Sequence, residues 1–173
     1  VLDQGWIDTD FLFHRHNVEI PIYTVGGWHD IYAEGSLYNY QYLQNEGNDK
    51  ARGNQKLSMG AFGHGAIQGG LSYPGGGAIT GDIEQQLRWW AYWLKDEDNG
   101  IMDEPPVSFY MMASARKGEQ SPKNRTIQID TWPPQHEKTR FYLQPGMTIS
   151  TSVPTADSAS SNYRFDPANP VGT

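Results

Sequence analysis

Cysteine is absent from all 173 residues. That removes disulfides, thiolate nucleophiles and cysteine-ligated zinc from consideration. Basic residues are scarce too: 13 Lys and Arg face 20 Asp and Glu, leaving a net charge of −7. Phosphate binding needs a basic face, so no nucleic-acid partner is expected. No apolar run approaches the roughly 20 residues that span a bilayer, and no charged-then-apolar leader opens the chain. Membrane association is therefore not expected. Val1 is not a natural start, so the chain reads as part of a longer protein. Aromatic residues, by contrast, are plentiful: 6 Trp, 10 Tyr and 6 Phe imply a packed core and argue against disorder.

Two segments organise the first half. Ile20 to Val25 is a short β-branched apolar run ended by Gly26 and Gly27, and Lys56 to Ala61 is a second. Apolar character at nearly every position suggests strands buried on both faces, as in a parallel sheet. Between them, Ala33, Leu37, Tyr40 and Gln44 fall on one helical face within Tyr32–Gln44. Strand, helix and strand at this spacing predict a βαβ unit with parallel pairing. A further helix is predicted after Asp82, which with Gln85 makes a capping box. Ile83, Leu87, Trp90 and Leu94 mark its apolar stripe and predict its buried face. After Pro105-Pro106 the character changes. Val107–Ala113, Thr126–Ile129, Arg140–Leu143 and Met147–Thr151 read as short strands in series, which suggests an antiparallel sandwich or jelly roll.

Each early strand delivers one polar residue into a loop. The first, through Gly26-Gly27-Trp28-His29, delivers Asp30; the second, through Gly60-Ala61-Phe62-Gly63, delivers His64. A buried carboxylate can fix the tautomer of a histidine and stabilise its imidazolium, and the histidine can act as general base. An acid and then a histidine at successive strand ends is the second half of a Ser–Asp–His triad in α/β-hydrolase order. The serine, on a strand-to-helix elbow, is then expected upstream of Val1. A plainer reading keeps Asp30 as a turn former satisfying nearby amides and His64 as a hydrogen-bonded loop residue.

Other candidates fit less well. Gly70-Leu71-Ser72-Tyr73-Pro74 resembles a nucleophile elbow, but glycines precede Ser72 and Pro74 follows it, where a strand and a helix are required. Ser36 lies inside a predicted helix. His14, His16 and His29, with Asp8 and Asp10, are the candidate metal ligands. His-x-His presents both rings to one ion on a strand, and no strand pattern surrounds them. No metal or cofactor is expected. Trp89, Trp90 and Trp93 could form a stacking platform, though packing is the simpler role.

The residues resemble the X-Pro dipeptidyl-peptidase and cocaine esterase family of serine hydrolases. The resemblance rests on six pieces in order: Val18–Asp30; Gly60-Ala61-Phe62-Gly63-His64; Leu87–Lys95 with Asp98-Asn99-Gly100-Ile101; Pro106–Met112; Trp132-Pro133-Pro134 with Phe141-Tyr142-Leu143; and Tyr163–Pro167. It implies that residues 1–17 end a helical cap, 18–103 form the C-terminal portion of an α/β-hydrolase domain, and 104–173 begin an all-β jelly-roll domain. The acid maps to Asp30 and the base to His64; the serine and oxyanion donors map to nothing in this chain. Members of the family cleave dipeptides with penultimate proline, aryl esters or β-lactam side-chain amides. The implied substrate is a small ester, amide or short peptide. The implied partner is the N-terminal remainder of the same protein, with a homo-oligomer also possible. The alternative is a non-catalytic jelly-roll module that binds carbohydrate or a partner chain, with Asp30 and His64 as scaffold.

Overall fold

Ile22, Tyr23, Thr24 and Val25 are β-branched or aromatic and favour extended backbone. They open strand β1, Ile22–His29, which continues through Gly26 and Gly27 rather than ending there. The computed structural model describes residues 4–64, 73, 83–113, 121–160 and 162–169. Before β1 lie two short helices, α1 (Gln4–Thr9) and α2 (Phe11–His14), and a 3-10 turn at Arg15–Asn17. After it come helix α3 (Ala33–Asn45), strand β2 (Gln55–Gly63) and helix α4 (Ile83–Lys95). Strands β3 (Val107–Met111) and β4 (Arg125–Ile129) complete a four-stranded sheet of order β1-β2-β3-β4. β1, β2 and β3 run parallel and β4 antiparallel to β3, so the sheet is mixed, an arrangement compatible with the α/β class.

The core forms where α3 packs on the parallel strands. Tyr40, Leu57, Met59 and Val107 are buried together, with Leu37, Trp28 and Phe109 packed around them. Gln55 is a buried polar residue whose groups are all used. Its side chain accepts from Ile22 N at 3.2 Å and donates to Ala51 O at 2.7 Å, while its own amide donates to Gln44 Oε1 at 3.0 Å. Buried polar groups of this kind are tolerated only when paired. This one ties the starts of β1 and β2 together and so sets their register.

β3 is brought beside β2 by a polar clamp between the middle of α4 and the loop that follows it. Arg88 pairs with Glu104 at 2.7 Å and donates to Asn99 O at 2.9 Å, while Asn99 returns a bond to Arg88 O at 2.8 Å. Ile101, fully buried, is held within that loop. The buried Lys56 ammonium reaches the carbonyls of Glu104 and Pro105 at 3.4 and 3.3 Å. Burial lowers its pKa, with the Glu104 carboxylate acting in the opposite direction.

Helix α4 departs from expectation. Trp89 is its buried residue, resting on Tyr23 at 5.8 Å between ring centroids. The predicted stripe is turned outward: Trp90 is 51% and Leu94 78% exposed, and Ile83 and Leu87 are exposed as well. The helix meets the sheet through the neighbouring Trp89 face. No described residue covers the stripe that its periodicity marks as the more apolar one.

Two compact units divide the chain, Val1–Pro134 and Gln135–Thr173. The expected boundary between residues 103 and 104 lies in the loop before β3, inside the first unit, where β3 continues the sheet. The second unit holds β5 (Tyr142–Gln144) and β6 (Thr148–Ser150), an antiparallel pair. Gly146, at φ +77°, supplies the left-handed turn that joins them.

Candidate active site

The ends of β1 and β2 are where the sheet pattern breaks. Pairing runs one to one from Ile22↔Gln55 to Gly27↔Gly60, then shifts so that His29 pairs with Gly63. Trp28 alone therefore spans two residues of β2, Ala61 and Phe62. This is a bulge, a feature uncommon between parallel strands and often used to re-aim a side chain. Its consequence follows from counting. Without the extra residue, Asp30 would stand beside Gly63; with it, Asp30 stands beside His64.

Glycine makes the bulge possible. A Cβ on Gly27 would run into the carbonyl oxygen and ring of Phe62, so only a residue without a side chain lets the strands approach this closely. Trp28, thrown to one side, donates its indole N–H to Tyr110 O at 2.9 Å and packs among Phe109 and Trp132. The bulge is thus anchored through the aromatic core.

Asp30 and His64 do come together. His64 Nδ1 lies 3.4 Å from Asp30 Oδ1, with the Asp30 side chain 17% and the His64 side chain 65% exposed. The separation is longer than the 2.7–3.2 Å of a well-formed N–H···O bond; such bonds are often loose before substrate binds. Nδ1 faces the carboxylate, which leaves Nε2 on the far side of the ring. The turn-forming role of Asp30 is also present: Tyr32 N donates to Asp30 Oδ1 at 2.9 Å, and Asp30 N donates to Gly27 O at 3.0 Å. One side chain is thus held by the turn and faces the imidazole.

One aromatic ring meets the pair, and others cluster near the end of β1. Tyr32 meets His64 edge-on, with centroids 5.2 Å apart and planes at 75°. On the other side of β1's end, Tyr73 stacks on His29 at 5.9 Å and meets Tyr110 at 6.3 Å. Burial, aided by the proximity of Tyr73, raises the Tyr110 pKa. Periodicity did not single out Tyr32, which stands at the N-terminus of α3, outside the face that marks the helix. The available signal was the position of Tyr32, two residues after the acid.

The remaining candidates fall elsewhere. His29 is engaged with Tyr73, and a His14 ring nitrogen contacts Ile7 O at 3.0 Å. Among the described residues no three His, Asp or Glu side chains cluster as metal ligands. Ser36 Oγ donates to Tyr32 O at 3.1 Å within α3. Ser72 lies outside the described residues. Two open grooves flank β1: one of about 540 Å³ against α4, lined by Tyr23, Val25, Trp89 and Trp90, and one of about 400 Å³ against α3, lined by Phe11, Ile22, Thr24 and Asn39. Among the described residues no helix is long and apolar enough to cross a membrane.

No family model matches the chain. It is similar, at 27% identity over 150 residues, to a protein named "Putative serine esterase" in Mycobacterium bovis and to one of the same description in Mycobacterium tuberculosis. Each match takes in 80% of this chain and 22% of the relative. The chain thus spans about a fifth of the length of the curated relatives it matches.

Proposed function

We propose that this chain supplies the acid and the base of a serine hydrolase that cleaves an ester or amide. In this reading β1, α3, β2 and α4 are the C-terminal part of an α/β-hydrolase domain, and the later strands begin a jelly roll. The nucleophilic serine comes from a segment outside these 173 residues. The observation that carries the reading is the bulge that aligns Asp30 with His64 at the carboxyl ends of two parallel strands. The similarity to proteins named as serine esterases supports it independently.

The chemistry proceeds in two halves. His64 Nε2 accepts the serine proton as Oγ attacks the substrate carbonyl, and Asp30 stabilises the imidazolium that results. The tetrahedral intermediate collapses to an acyl-serine, and His64 hands the proton to the departing alcohol or amine. Water then repeats the sequence: His64 takes its proton, hydroxide adds to the acyl carbon, and serine leaves reprotonated.

The grooves beside β1 support the same reading. Among the described residues β1 is an edge strand, with Tyr23 and Val25 lining one groove, Thr24 the other and Ile22 both. An apolar strand open on one edge invites pairing. A further strand beside β1 would send alternate side chains into the two grooves. We assign that place to the remainder of the same protein.

The test is hydrolysis of a p-nitrophenyl ester by the full-length protein. Wild type is expected to turn over, and His64→Ala to lose about 10³-fold or more. Undiminished activity in His64→Ala would remove the base from the mechanism and return Asp30 and His64 to the scaffold.

A further inference from the structure

We propose that Tyr32 is a positioning residue for the acid–histidine pair, an inference that rests on the catalytic reading of Asp30 and His64. Tyr32 touches both members by different parts of itself. Its backbone N–H donates to Asp30 Oδ1 at 2.9 Å, and its ring meets the His64 ring edge-on at 5.2 Å.

His64 needs such a support. Its side chain is largely exposed, and its one polar contact among the described residues is the 3.4 Å approach to Asp30. A contact that long does not fix a ring against rotation. Aromatic pairs in edge-to-face geometry have energies that bias a conformer by about 2- to 12-fold. The Tyr32 ring biases His64 toward the orientation in which Nδ1 faces the carboxylate and Nε2 faces away.

The backbone of Tyr32 is well held, while its ring, 62% exposed, rests on His64 from the solvent side. Tyr32 stands at the start of α3, where its carbonyl accepts from Ser36 N at 3.0 Å and from Ser36 Oγ at 3.1 Å. Ala33 N donates to Asp30 O at 3.1 Å, closing the turn between acid and helix. The first turn of α3 therefore fixes the backbone that carries the ring. The hydroxyl of Ser36 is used in that clamp. The ring, not the phenol oxygen, makes the contact with His64, so phenylalanine meets the requirement and leucine, of similar bulk but not aromatic, does not.

The test uses the full-length protein and a fluorophosphonate probe, whose reaction with serine depends on the general base. Rates over a range of probe concentrations separate the limiting rate from the half-saturating concentration. Tyr32→Phe is expected within about twofold of wild type, and Tyr32→Ala and Tyr32→Leu to show a limiting rate about tenfold lower with half-saturation changed less than about twofold. Thermal midpoints of the variants, measured alongside, are expected to match that of wild type. A Tyr32→Ala or Tyr32→Leu protein that labels as fast as wild type, while His64→Ala does not label, overturns the positioning role and leaves the pair intact. Labelling of His64→Ala at the wild-type rate overturns both.

Discussion

Asp30 illustrates how one carboxylate can serve the fold and, in the mechanism proposed above, the chemistry as well. The same Oδ1 that closes the turn on Tyr32 N faces His64 Nδ1. Replacing it by asparagine keeps an oxygen for the turn but removes the charge and can invert the tautomer of the histidine. Asp30→Asn in the full-length protein is therefore expected to lose about 10³- to 10⁴-fold in kcat, while the unfolding midpoint stays near that of wild type. Tyr40 presents a different case, one of stability alone. It is buried at the centre of the core, and its hydroxyl has no hydrogen-bond partner among the described residues. Burial pushes its pKa up to about 12. A group whose folded-state pKa is raised contributes stability that is complete below its unfolded value of about 10 and is lost as pH climbs toward 12. That loss amounts to about 2–3 kcal/mol. Tyr40→Phe is expected to be as stable as wild type or up to about 1 kcal/mol more stable at pH 8, and to show a smaller fall between pH 9 and 12. Denaturant titrations at the two ends of that range give the comparison; identical pH dependence in the two proteins would refute the assignment.

The bulge between β1 and β2 is the feature on which the site depends, and Gly27 is its weakest point. Gly27→Ala forces a Cβ against the Phe62 carbonyl and ring. Overpacking of this kind costs about 1–3 kcal/mol, and relief by strand separation would slide Asp30 out of line with His64. The variant is expected to lose activity as well as stability, whereas Gly53→Ala, where a Cβ meets nothing, pays only for its φ of +77° and keeps its activity. Assays of ester hydrolysis and thermal unfolding on the two proteins separate these effects. The strands and helices were largely legible beforehand. Continuous apolar runs marked β1 and β2, because strands covered on both faces are apolar at nearly every position, although β1 runs on through the glycines expected to end it; the Ala33–Leu37–Tyr40 spacing marked α3, because one helical face is buried. The buried face of α4 was not legible. Its apolar stripe at Ile83, Leu87, Trp90 and Leu94 is real, but Trp89 carries the contact with the sheet, and hydropathy alone cannot say which of two apolar faces meets which layer. Nor could the bulge be read, since it depends on a close approach between two strands. What could be read was its cause, glycines placed just before the polar residues that matter.

At the scale of the molecule, the described residues present more apolar surface than they cover. The α4 stripe is exposed, no described strand pairs with the outer edge of β1, and grooves lie on both sides of it. Large exposed apolar patches of this kind mark interaction surfaces or aggregation liabilities. The 173-residue chain by itself is accordingly expected to hydrolyse no ester above background and to self-associate with rising concentration. Leu87→Lys with Leu94→Lys is expected to shift its sedimentation toward monomer, and unchanged association in that double variant would place the sticky surface elsewhere. The central claim, that Asp30 and His64 activate a serine carried by another part of the protein, is tested most directly by fluorophosphonate labelling of the full-length protein followed by peptide mapping. The account predicts a single labelled serine outside these 173 residues in wild type and none in His64→Ala. Labelling of Ser36 or Ser72, or equal labelling with and without His64, would contradict it.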